Sequence, residues 1–116
     1  MTALVAPDAT TESLDSLARS MDDNARDERL LARRIRRLCA GRAHGRSWQE
    51  VMSDEPRPTT LELASGVLNR VTRTSGELRR ALARALRAQG VSIAAIAEQF
   101  GVTRQRVSAL LRRDAS

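Results

Sequence analysis

Residues 93–112 read IAAIAEQFGVTRQRVSALLR. Two short apolar periods flank a glycine. Ile93, Ile96, Ala97 and Phe100 fall at helical spacing, and Ser92 stands before them as an N-cap. After Thr103, a second cap, Val107, Leu110 and Leu111 repeat the pattern. Gly101 lies between them, where the backbone must take a positive φ to leave one helix and enter the next within three residues. Ala97 is placed where the two helices cross, so a side chain larger than methyl would push them apart. Val102 plugs the angle from inside. Upstream, Thr74 with Glu77 reads as a capping box opening a helix whose stripe is Leu78, Ala81, Leu82, Ala85 and Leu86, closed by Gly90. The pattern predicts a tri-helical unit over residues 74–116.

Further upstream the signals stay helical. Thr59 with Glu62 forms another capping box, followed by Leu61, Ala64, Leu68 and Val71 with Leu63 and Val67 flanking, an amphipathic helix of about four turns. Residues 54–58 (Asp-Glu-Pro-Arg-Pro) read as a linker, because proline disfavours helix at itself and at the residue before it. Ser47 with Glu50 opens a short helix with Trp48, Val51 and Met52 on its apolar side. From Ser13 to about Ala40 the pattern is again helical, with Leu14, Leu17 and Met21, then Leu31, Ile35 and Leu38; Gly41 and Gly45 stop it. The polar link Asp22-Asp23-Asn24 leaves one long helix or two short ones open. Residues 1–12 read as a disordered tail. No segment alternates with period two, so no sheet is expected. The expected fold is an all-α helical bundle, with 13–73 a packing and self-association region ahead of the C-terminal unit.

Composition narrows the function. Of 116 residues, 25 are Leu, Val, Ile or Phe, so the core must be thin and alanine-rich. One Trp, one Phe and no Tyr exclude an aromatic platform for single strands. A single cysteine, Cys39, and a single histidine, His44, argue against a disulfide framework, a zinc site and a catalytic triad. The six glycines are isolated, so no loop cradles a phosphate. No enzyme activity, cofactor or metal is expected. No run of apolar residues reaches membrane-spanning length, and Asp8 and Glu12 replace the basic start of a signal peptide. These features predict a soluble cytoplasmic protein.

The charge is polarised. All 20 basic residues are arginines, and the net charge is +6. Residues 1–28 carry seven acids and two arginines, whereas 29–46 carry seven arginines and no acid. Residues 59–116 carry ten arginines against four acids. Such asymmetry fits a polyanion partner.

The stretch around 75–113 resembles the helix-turn-helix of bacterial DNA-binding regulators, in the style of sigma-factor region 4 and resolvase-type domains. The resemblance implies duplex DNA as partner, with helix 103–113 in the major groove. Arg104, Gln105, Ser108, Ala109 and Arg112 point outward and become the candidates for reading bases: Arg pairs with guanine, Gln with adenine, and Ala touches a thymine methyl. Ser92 and Thr103 at helix N-termini, with Arg73, Arg79, Arg80, Arg106 and Arg113, are the candidates for phosphate contacts. This makes a nucleoid-associated transcriptional regulator the leading expectation, paired as a homodimer to span a two-fold site. Two other readings stand beside it. One is an antitoxin-like or sigma-like protein-interaction module working through residues 13–73, with DNA binding secondary. The other is a nonspecific basic nucleoid protein.

Gly45-Arg46-Ser47-Trp48-Gln49-Glu50-Val51 and Gly90-Val91-Ser92-Ile93-Ala94-Ala95-Ile96 share the pattern Gly-x-Ser-apolar-x-x-apolar. Residues 29–58 therefore read either as a worn helix-turn-helix or as coincidence. Trp48 is expected to anchor the core, and Cys39 to be a small buried hydrophobe.

Overall fold

Asp8 opens the first helix. Its carboxylate accepts from the Thr11 N–H and hydroxyl, both at 2.8 Å, and these bonds hold its pKa below the ordinary aspartate value. The structure, a computed structural model, describes residues 4–112 and is all-α, with five helices and no strand among those residues. They are α1 (Ala9–Ala43), α2 (Trp48–Ser53), α3 (Thr60–Ala88), α4 (Ile93–Phe100) and α5 (Arg104–Arg112).

α1 is one unbroken helix of 35 residues, starting four residues ahead of the apolar pattern and running straight through Asp22-Asp23-Asn24. No proline interrupts it, and acids early with arginines late suit its dipole. Gly41 does not stop it. That residue lies in its last turns, where a Cβ would come within 3.2 Å of the Val51 side chain, so glycine lets the two helices pack closely without Val51 having to shift. The helix closes instead around Gly45, with Gly45 N–H donating to Arg42 O at 3.0 Å and Arg46 N–H to Gly41 O at 3.2 Å.

The start of α3 is capped twice over. Thr59 and Glu62 exchange side-chain and backbone bonds, and the Glu55 carboxylate accepts from the Thr60 N–H at 3.2 Å and from its hydroxyl. Part of the expected linker thus ties down a helix end. Downstream, the Thr74–Glu77 box is overturned as a helix start. α3 runs 29 residues through it, and Thr74 is buried in mid-helix. A capping sequence only permits a start; no proline or left-handed residue between 60 and 88 forces the chain out.

The chain divides into two compact units: residues up to Leu17 together with those from Arg73 onward, and Ala18–Thr72. In the second unit α1 and α3 run antiparallel. Arg34 donates to Pro58 O near one end, and Asn24 donates to Val67 O at 3.0 Å further along. The inward stripe of α1 is Ser20, Asn24, Asp27, Leu31, Arg34, Leu38 and Gly41, spaced alternately by four and three, and none is exposed. That stripe is largely polar. Of the apolar residues expected inside, Leu31 and Leu38 lie on it, but others stand beside it: Met21 and Ile35 are half exposed, as is Trp48, and Cys39 is exposed. On α3 the predicted Leu61 and Leu68 are 67% and 69% exposed, while the flanking Leu63 and Val67 turn inward. Trp48 is therefore no core anchor. The Arg42 guanidinium lies over its ring at 5.8 Å, and Val51 alone from α2 is buried.

In the first unit the core is Ala83, Ile96, Ala97 and Val107, ringed by Leu86, Val91, Ile93, Phe100, Val102 and Leu111. Leu110 is also buried. On α3 the fully buried residue is Ala83, between the half-buried stripe residues Leu82 and Ala85.

Candidate nucleic-acid interface

The site is built on α4, its turn and α5. The Ser92 Oγ accepts from Ala95 N–H at 3.1 Å and starts α4. Gly101 ends it at φ 68°, ψ 32°, with its own N–H donating to Glu98 O at 3.2 Å and Val102 N–H to Ala97 O at 3.0 Å. The left-handed conformation is easy for glycine and strained for other residues, which is why the turn spends its glycine there. Thr103 Oγ1 then accepts from Arg106 N–H at 3.1 Å and starts α5. Val107 and Leu110, 0% and 2% exposed, pin α5 to the core.

The opposite side of α5 faces water. Arg104, Gln105, Arg106 and Arg112 are exposed, and Ser108 and Ala109 are half-buried. No acid occurs from Val102 to Arg112. Ser92 and Thr103 are exposed, and each uses a lone pair in its cap, leaving a hydroxyl proton to donate outward. Arg73 and Arg79 on α3 are exposed and Arg80 is half-buried; Arg113 lies outside the described residues.

Arg87 was not among the sequence candidates. It is exposed at the end of α3 and donates to Val91 O at 3.0 Å, bracing the turn into α4. Its signal was in the sequence all along. Arg42 donates likewise to Arg46 O at 3.1 Å, so the internal similarity extends to Arg-Ala-x-Gly-x-Ser at 42–47 and 87–92. The backbone repeats as well. Gly45 and Gly90 have φ 91° and 87°, and Ser47 and Ser92 both have φ −71° and cap with 3.1 Å bonds. The copies then part: α2 ends at Ser53 with Asp54 right-handed, and the next helix waits until Thr60.

Residues 74–115 match the family model of a homeodomain-like domain. The chain carries a helix-turn-helix of DNA-binding type. The matched segment begins within α3, so the first helix of the matched domain is the C-terminal half of a longer one. No curated protein and no solved structure matches the chain. Among the described residues no helix is long and apolar enough to cross a membrane.

Proposed function

We propose that the chain is a sequence-specific transcriptional regulator that reads the major groove of duplex DNA with α5, as a homodimer on the cytoplasmic nucleoid. Arg104, Gln105, Ser108, Ala109 and Arg112 read base edges. Ser92, Thr103, Arg73, Arg79, Arg80, Arg106 and Arg113 hold phosphates and supply the salt-dependent share of affinity. The turn Gly-Val-Thr-Arg at 101–104 keeps to the style of sigma-factor region 4 and resolvase-type domains.

The observation that carries this reading is the two-sidedness of α5: one side locked by Val107 and Leu110, the other exposed, arginine-rich and free of acids. A recognition helix needs that combination of rigid placement and donor-rich surface. Selection of sites from random duplex DNA, followed by salt titration against a scrambled control, tests it. An enriched site with related half-sites about one helical turn apart supports a dimeric reader. Equal affinity for every sequence, falling steeply with salt, overturns sequence reading and leaves a nonspecific basic protein.

A protein-interaction role with DNA binding secondary is favoured by a different observation. Met21, Ile35, Leu61 and Leu68 of the unit 18–72 leave large apolar surface in water. Co-purification dominated by one unrelated protein, with no selected DNA site, would support it.

A further inference from the structure

We infer that the outer stripe of α1 is a self-complementary interface on which a second copy of this chain packs antiparallel. The inference rests on the homodimer part of the proposed function and is independent of DNA reading.

Ala18, Met21, Ala25, Glu28, Ala32, Ile35 and Cys39 follow one another at spacings of three and four, next to the inward stripe. All are exposed except the half-buried Ala32. A seven-residue recurrence of this kind has the geometry of a helix-packing seam. Small and large residues alternate along it, which lets a second helix approach closely. Beside it, Met21, Ala25, Val67, Leu68 and Val71 line an open groove of about 310 Å³, so the apolar surface widens toward α3.

Charge chooses the occupant and its direction. Asp22 and Arg29, one heptad apart on the flank of the seam, are both exposed, and neither enters an ion pair among the described residues. In a parallel in-register pair, Glu28 would face Glu28 across the two-fold axis, while Asp22 and Arg29 would lie on opposite sides of the seam from their own copies and stay unpaired. Reversing the second helix sets Glu28 against a small residue instead of its own copy. Ala18 then faces Ile35 of the second copy, Met21 faces Ala32, and Ala25 faces Glu28, so each small residue receives a large one. The same register carries Asp22 to Arg29 of the second copy, twice by symmetry. An arginine-only surface would suit a nucleic acid, but this stripe is apolar apart from Glu28 and mixed in sign at its edge, which fits a two-fold helix pair.

Sedimentation equilibrium of the full chain without DNA tests the inference, with circular dichroism to confirm that each variant stays helical. The wild type is expected to dimerise. Ala25→Glu should leave only monomer. Asp22→Arg and Arg29→Asp should each weaken the dimer roughly tenfold, since two facing pairs become repulsive. Mixing these two variants should restore wild-type affinity as a heterodimer, because both facing pairs then carry opposite charges. A monomeric wild type, a dimer indifferent to Ala25→Glu, or a mixture no tighter than its components would overturn the proposal. A chain that dimerises this way yet selects no DNA sequence would remove the DNA reading alone.

Discussion

The Arg70 guanidinium donates to the Asn24 Oδ1 at 2.6 Å, while the Asn24 amide donates to the Val67 carbonyl at 3.0 Å. Asn24 is only 4% exposed, and the same arginine reaches Asp27 Oδ2 at 3.0 Å. A polar residue thus stitches α1 to α3 where an apolar one would ordinarily sit. Charge-assisted bonds in a partly buried site are stronger than neutral ones, and their loss leaves polar groups without water or partner. Asn24→Ala is expected to destabilise the fold by about 1–3 kcal/mol in urea unfolding. Exposed Asn69→Ala should change it by less than about 0.5 kcal/mol.

Gly101 has open space around the position of a Cβ, so its replacement tests backbone conformation alone. Gly101→Ala should lower stability by about 1–2 kcal/mol from the left-handed penalty. Gly101→Asn should lose less, because asparagine tolerates that region better. Thermal melts of the two variants side by side check the order.

Arg104→Ala combined with Gln105→Ala removes exposed atoms only. The helical circular dichroism should stay unchanged while discrimination between the selected DNA site and a scrambled one collapses. Ile96→Ala provides the contrast. It empties a fully buried core position, should destabilise by about 2–5 kcal/mol, and should lose DNA binding and structure together.

Glu50 and Glu62 both titrate below the ordinary glutamate value. The Glu50 carboxylate is held by the Ser47 backbone N–H and then its hydroxyl, and the Glu62 carboxylate by the Thr59 hydroxyl and then its backbone N–H. Each has a lower pKa folded than unfolded, so its contribution is fully present above the ordinary carboxylate range. That contribution is lost as pH falls through the folded value. The melting temperature should therefore drop on acidification below about pH 4.5. Replacing both residues by glutamine, which can still accept the bonds, should flatten that part of the profile.

Trp48 is 57% exposed, with Arg42 over its ring. Its fluorescence should be that of a wet indole, quenched readily by acrylamide. Trp48→Ala should shift stability by about 1 kcal/mol, the scale of an exposed cation–π contact, and not the about 3–5 kcal/mol of an emptied core.

What the sequence by itself determined is the local punctuation. Ser47, Thr59, Ser92 and Thr103 cap helices because their oxygens reach N–H groups three residues ahead, and Gly101 turns the chain because it lacks a Cβ. Those effects act within one turn, so the helix-turn-helix and its exposed arginines were legible from residues 92–112. Arg87 escaped because its role lies in a bond to the next turn, visible only when the 42–47 and 87–92 segments are set side by side. Tertiary structure decided two other matters. It carried α3 through Thr74, because burial of that residue outweighs a local invitation to begin again. It also chose which stripe of α1 faces inward. Two adjacent stripes share the seven-residue period, and helical spacing alone cannot rank them. The polar one went inside because Asn24 and Asp27 find Arg70 there, leaving Met21 and Ile35 in water.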